Sequence, residues 1–174
     1  MTTYIKRCTS DEALAKASLF AIENRHALHP SFGTLDIVSL LCSHITQGHL
    51  IYITDEDNRV LGMMTYYHGT PDKNFEDTEV AFVNFAIMAR AYRGTRLFVK
   101  SLYYMVELIT EAHPDVRELR LNALSENTYL CRLYSKFAHA SHTQESALGE
   151  ETVFCVRIHQ IKSILMRLFR VQSQ

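Results

Sequence analysis

The chain has no tryptophan, and only three prolines and six glycines are spread over its 174 residues. It therefore contains no low-complexity stretch and no proline-rich or glycine-rich linker. Its four cysteines, Cys8, Cys42, Cys131 and Cys155, are scattered without a Cys-x-x-Cys pair. That spacing argues against a disulfide framework or a cysteine zinc site and fits free thiols in a reducing cytoplasm. No apolar run approaches the roughly 20 residues that span a bilayer. Residues 1–10 carry Lys6 and Arg7 but no apolar core segment, so no secretory leader is expected and the expected location is cytoplasmic. Neither sign of charge dominates. A net charge of −1 gives no global pull toward nucleic acid or an anionic membrane. Nine histidines are present, and His26 with His29 and His139 with His142 are spaced three apart. No acidic or cysteine ligand joins either pair in a zinc-binding pattern, so no metal is expected.

What is present is the material of an ordinary globular protein: 47% apolar and 21% charged residues, in a length that fits one domain. Tyr4 to Cys8 can form a first strand. Ser10 is a plausible cap for a helix that carries Leu14, Ala17, Leu19, Phe20 and Ile22 and ends near His29-Pro30. Asp36 begins or caps a second helix that stops at Gly48. Leu50 to Thr54 and Val60 to Tyr67 read as a hairpin around an Asp55–Asn58 turn. An acidic loop runs from Gly69 to Asp77. Glu79 to Met88 is the next strand, Gly94 to Ala112 a long helix stopped by His113-Pro114, and Glu118 to Leu124 a strand. Ser125 is expected to cap a helix reaching about Ala138. A last hairpin fits His142–Ser146 and Thr152–His159. The order predicts an α/β fold with a mixed sheet and helices on both faces, and the strand–helix–strand unit around Arg93 should be parallel. The expected division is one domain over residues 1–160, followed by an amphipathic basic tail over 161–174. In the tail Ile161, Ile164, Leu165, Leu168 and Phe169 share a helical face, while Lys162, Arg167 and Arg170 face away. That tail reads either as a helix packed on the domain or on a second copy of the chain, or as a surface helix for an anionic partner.

Two segments carry chemistry. Tyr92-Arg93-Gly94-Thr95-Arg96-Leu97-Phe98 follows the apolar strand and opens the long helix, so its amides sit where a phosphate can bind. Asn127 and Tyr134 are seven apart, two turns along one helix face. Over residues 79–137 these segments resemble the GCN5-related N-acetyltransferase (GNAT) family. The family turn usually reads Arg/Gln-x-x-Gly-x-Gly/Ala; Arg93 and Gly94 fit its common Tyr-Arg-Gly start, while Arg96 stands at the central glycine and Phe98 at the final small residue. The family helix pattern, Asn-x-x-Ala-x-x-Leu-Tyr-x-Lys-x-Gly-Phe, is matched at Asn127, Leu133, Tyr134 and Lys136. Cys131 lies near its small residue, and Ala138-His139 replaces the final Gly-Phe.

The resemblance implies a mostly antiparallel sheet of about six or seven strands that splays to hold a pantetheine arm. It implies transfer of an acetyl group from acetyl-coenzyme A to a primary amine of a small molecule or peptide. Backbone at Arg93, Gly94, Thr95, Arg96, Leu97 and Phe98 would cradle the pyrophosphate, and Asn127 would orient the cofactor arm. An N–H near Ile87 or Met88 would bind the acyl oxygen. Tyr134 would protonate the leaving thiolate. Glu79, or alternatively His68, would serve as base; the competing reading of Glu79 is a solvated carboxylate beside Glu76 and Asp77. The acidic stretch 72–79 slightly favours a cationic acceptor, and a homodimer is possible. The missing glycines keep open an alternative, a non-catalytic module of the same fold that binds coenzyme A or another protein.

Overall fold

The computed structural model describes residues 1–171; residues 172–174 of the tail, and the side chains of Phe169 and Val171, lie outside the described ones. The elements run β1 (Tyr4–Arg7), α1 (Asp11–Glu23), α2 (Thr34–Gln47), β2 (His49–Thr54), β3 (Val60–His68), β4 (Val80–Met88), α3 (Arg96–Ala112), β5 (Glu118–Leu124), α4 (Thr128–Ser135), β6 (His139–Ser146), β7 (Gly149–Arg157) and α5 (Ile158–Val171). One seven-stranded sheet has the order β1-β2-β3-β4-β5-β7-β6. Its neighbours are antiparallel except β4 and β5, which are parallel. The crossover between those two strands is α3, as the strand–helix–strand order requires.

Local chemistry sets the helix ends. The Ser10 hydroxyl accepts from the Ala13 N–H at 3.1 Å and starts α1. The helix ends at Glu23, several residues before His29-Pro30. Asn24 closes it early by donating both its backbone N–H (3.0 Å) and its side-chain amide (2.9 Å) to the Phe20 carbonyl. Thr95 caps α3 by accepting from the Leu97 N–H at 3.3 Å, so the helix starts at Arg96 and Gly94 lies in the turn. Pro114 forces His113 out of the helical region, to φ −132° and ψ 78°, and α3 stops there. The expected Ser125 cap is replaced by Asn127, whose Oδ1 accepts from the Leu130 N–H at 3.2 Å.

Helices α1 and α2 cover one face of the sheet, with Ala17, Phe20, Ile37 and Leu41 against Leu50, Met63, Phe85 and Ile87. Helices α3 and α5 cover the other. There Leu102, Met105, Val106 and Ile109 of α3 are completely buried, each contributing about 1.5–3 kcal/mol of apolar transfer. The apolar stripe of the tail belongs to this layer, since Ile161 and Leu165 are fully buried and Lys162 pairs with Glu107 of α3 at 2.9 Å.

Strand β4 carries an irregularity in the middle of the sheet. Its register against β3 slips, with Tyr66 opposite Val83 but Thr65 opposite Phe85. Asn84 is thus an extra residue, a bulge. A bulge reverses which face later side chains take and bends the strand. Ala81 and Val83 accordingly pack with α3, whereas Phe85 and Ile87 pack with α1 and α2. Pairing of β4 with β5 also ends here, at Val83 opposite Leu121. Beyond that point β5 stays paired to β7 through Leu124, and the two parallel strands part.

The bulge side chain rests on a buried imidazole. Asn84 Nδ2 donates to His44 Nε2 at 3.0 Å, and His44 Nδ1 is buried without a partner among the described residues. Burial pushes the His44 pKa down to about 3. In the unfolded chain this imidazole titrates near 6.5. Between those values the unfolded state binds a proton that the folded state refuses, so stability falls as pH drops below about 6.5. At pH 5 the loss from His44 is expected to be about 2 kcal/mol. His49, held down to about 4 chiefly by burial, acts in the same direction. Urea unfolding at pH 7 and pH 5 reads this directly, and equal stabilities at the two pH values would refute it.

Candidate functional site

The parting of β4 from β5 opens two cavities that share Ala86, Asn127 and Leu130. The first, of about 400 Å3, is bounded by Met88, Arg93, Gly94, Phe98 and Tyr129. The second, of about 460 Å3, reaches from Tyr134 and Asn127 past Asn84 and Asn122 to Asp36, Phe32 and Glu151. One groove therefore runs from the turn at the N-terminus of α3, between the splayed strands, to the α1/α2 side of the sheet.

At the turn end, Gly94 has φ +74° and open space where a β-carbon would project. Arg93 is tied back by its Nε, which donates to the Met88 carbonyl at 3.1 Å. Several of the amides expected to face a phosphate have acceptors inside the protein. The Gly94 N–H donates to the Tyr129 hydroxyl at 3.0 Å, the Leu97 N–H to the Thr95 hydroxyl at 3.3 Å, and the Arg93 and Thr95 N–H groups to Arg90 and Tyr92 carbonyls at 3.4 and 3.3 Å. The last two bonds are long, hence weak. Phe98 turns its ring into the core, 6% exposed, with its centroid 6.3 Å from that of Tyr134. The bulky residue thus does not fill the turn. Arg96 is exposed at the start of α3.

In the middle of the groove the strand edge supplies backbone donors. The Ala89 N–H bonds the Leu61 carbonyl at 2.8 Å. Antiparallel alternation then commits Ile87 to β3 and turns the Ala86 and Met88 N–H groups toward the side that β5 has left. Of the two residues expected to bind an acyl oxygen, Met88 has the open geometry and Ile87 does not. Asn127 caps α4 through its Oδ1 and lines both cavities, which leaves its amide nitrogen as a donor.

Tyr134 is 1% exposed and is ringed by Phe98, Phe137 and Phe154 at centroid distances of 6.3, 6.0 and 5.8 Å. Burial, with Cys131 adding to it, pushes the phenol well above its ordinary pKa. It is therefore protonated at neutral pH, the form a proton donor needs. Glu79 is not brought to this groove. It is exposed and precedes β4, the full strand away from Met88, about 25–30 Å at ordinary strand rise. Its carbonyl accepts from the Arg117 and Glu118 N–H groups at 2.7 and 3.1 Å. His68 lies at the same far end, stacked on His113 at 4.0 Å and bonded to the Thr78 carbonyl at 2.8 Å. Among the described residues no cluster of three or more His, Cys, Asp or Glu is arranged to hold a metal ion, and no helix is long and apolar enough to cross a membrane.

Sequence reasoning missed Tyr129, Asn84, Asn122 and Glu151. Glu151 Oε2 accepts from Asn122 Nδ2 at 3.0 Å and Gln144 Nε2 at 3.2 Å, and Asn122 Nδ2 also reaches Asn84 Oδ1 at 3.4 Å. These residues are far apart in sequence, and no local pattern marks them.

No protein-family profile matches the sequence, and no curated protein matches it. Solved structures do match its fold. A GNAT-family acetyltransferase from Desulfovibrio desulfuricans superposes with a TM-score of 0.70 at 12% identity, over 90% of this chain and 99% of that one. An aminoglycoside acetyltransferase in complex with coenzyme A gives 0.70 at 16% identity, over 93% and 98%. Spermidine N-acetyltransferase from Vibrio cholerae, in complex with coenzyme A and spermine, gives 0.65 at 10%, over 91% and 97%. The chain has the GNAT fold.

Proposed function

We propose that this chain, with its GNAT fold, is an acetyl-coenzyme A-dependent N-acyltransferase that works by direct attack of an amine. The observation that carries the reading is the continuous groove between β4 and β5, with a glycine turn at one end and a buried, protonated phenol near its middle. The turn fits a phosphate group. Gly94 leaves open space beside a helix N-terminus, and that terminus favours an anion. Asn127 would hold the pantetheine arm with its free amide. The Met88 N–H would bind the acyl oxygen as negative charge builds on it, which supplies roughly 3 kcal/mol in comparable oxyanion holes. Tyr134 would give its proton to the departing sulfur. The acceptor, a primary amine of a small molecule or peptide, would enter from the α1/α2 side.

A second reading, a non-catalytic module of the same fold, draws support from one contact: the Tyr129 hydroxyl already occupies the Gly94 N–H. Ligand-dependent melting and calorimetry separate cofactor use from its loss. Acetyl-coenzyme A at about 100 times its dissociation constant is expected to add about 2.7 kcal/mol of stability, and amines are then screened by thiol release. Absence of both heat and a melting shift at millimolar acetyl-coenzyme A would exclude the cofactor role. Cofactor binding without thiol release on any amine would favour the non-catalytic module.

A further inference from the structure

The turn end of the groove holds a polar side chain to which the chemistry above gives no part. Tyr129, in the first turn of α4, lines the smaller cavity beside Arg93, Gly94 and Asn127. Its side chain reaches across the mouth of the groove. The turn follows β4 and α4 follows β5, so the bond from the Gly94 N–H to the Tyr129 hydroxyl, at 3.0 Å, joins the two walls where those strands part.

A phenol hydroxyl has one proton to donate and two lone pairs that accept. In Tyr129 one lone pair takes the Gly94 N–H, and among the described residues no acceptor takes the proton. An acceptor standing in the cavity would complete a chain from amide to hydroxyl to ligand, with both bonds pointing the same way. Bonds in such a chain polarise one another. The pyrophosphate of coenzyme A is ionised at neutral pH and only accepts, so it uses the O–H and leaves the N–H bond intact. Nearby donors are less open: the Leu97 N–H is held by the Thr95 hydroxyl, and Arg93 Nε by the Met88 carbonyl.

Resting on the acyltransferase reading, we propose that Tyr129 is a binding residue for the cofactor pyrophosphate, its hydroxyl carrying the Gly94 N–H outward to a phosphate oxygen. The contact that occupies the amide thus extends the cradle and does not block it. The phosphate stands one hydroxyl further from the backbone than at a bare turn, about 2.7 Å at ordinary O–H···O length.

Tyr129→Phe tests this on the full chain. The variant keeps the ring, which still bars the phosphate from the Gly94 N–H, and removes the donor. Calorimetry should show coenzyme A binding weakened at least threefold. Phosphorus NMR of the two saturated complexes should show the pyrophosphate signals moved and the ribose phosphate signal in place. The unliganded melting temperature should stay within about 3 °C, because one hydrogen bond of a residue 50% exposed adds little to the fold. A smaller loss of affinity, or tighter binding, would mean that the hydroxyl only occupies the amide, and would overturn the inference. Weaker binding with unmoved pyrophosphate signals, or with a larger fall in melting temperature, would overturn it too, by making Tyr129 a packing residue. In each of those cases coenzyme A binds the unaltered chain, and the acyltransferase reading survives. Failure of coenzyme A to bind the unaltered chain would refute that reading and the inference with it.

Discussion

Tyr134→Phe is expected to lower turnover by about 100-fold or more, while the coenzyme A dissociation constant stays within about twofold. Phe keeps the ring that packs against Phe98, Phe137 and Phe154, so the core and the groove wall keep their shape. The change removes one hydroxyl. In the proposed chemistry the amine nitrogen bonds to the acyl carbon, the carbon–sulfur bond breaks, sulfur leaves with the electron pair and takes the Tyr134 proton, and the proton lost by nitrogen passes to water, from which the phenolate is reprotonated. A thiolate is a tolerable leaving group, so its protonation is worth a moderate rather than an extreme factor; 100-fold corresponds to about 2.7 kcal/mol of barrier. Burial holds the phenol protonated at neutral pH, so the donor is ready in the resting protein and needs no activating partner. The measurement is turnover on a verified amine under conditions where chemistry limits the rate. An unchanged rate there would remove Tyr134 from the mechanism, and a rise in the dissociation constant that matched the loss would make it a binding residue.

Much of the fold was legible because the deciding signals are local. The expected strand Glu118–Leu124 has the observed bounds of β5, and Val80 begins β4 one residue after the expected start. The long apolar periodicity of α3 and the His113-Pro114 stop also carried through. Errors arose where a distant partner decided the outcome. Ser125 looks like a helix cap, but its hydroxyl bonds the Thr152 hydroxyl at 2.8 Å and its N–H bonds the Glu150 carbonyl at 2.8 Å. With Ser125 held to β7, the cap falls to Asn127. The bulge at Asn84 was invisible for the same reason. One polar residue in an apolar strand reads like any other, and only the register against β3 reveals that it is extra. The site depends on that bulge. It parts β4 from β5 and turns the Met88 N–H outward. Glu79 stands in an obvious acidic run, whereas Glu151 acquires its neighbours Asn122 and Gln144 only when β5, β7 and β6 pair.

At the phosphate end, Gly94→Val is expected to weaken coenzyme A binding at least 30-fold, whereas Arg96→Gly keeps it within about tenfold, about 1.4 kcal/mol. Gly94 sits at φ +74°, in the left-handed region that costs an ordinary L-residue about 1–2 kcal/mol and a β-branched one more. Valine relieves that strain only by rotating the peptide that carries the Gly94 N–H. Its side chain also enters the open space next to the turn, where a phosphate has to stand. The two effects add for the ligand but not for the fold. Apart from Gly94 and its two chain neighbours, no atom of the described residues lies within 4 Å of the position a β-carbon would take, so the unliganded protein is expected to lose only the strain energy. Arg96 is at the exposed first position of α3, and its guanidinium would act on a phosphate across solvent, where a single charge is worth little. Removing it leaves the helix terminus and the turn amides in place. Titration of coenzyme A into both variants, with melting curves for each, separates ligand loss from fold loss. Abolished binding in Arg96→Gly together with undisturbed binding in Gly94→Val would mean that phosphate recognition rests on the Arg96 side chain, and the backbone cradle would be wrong.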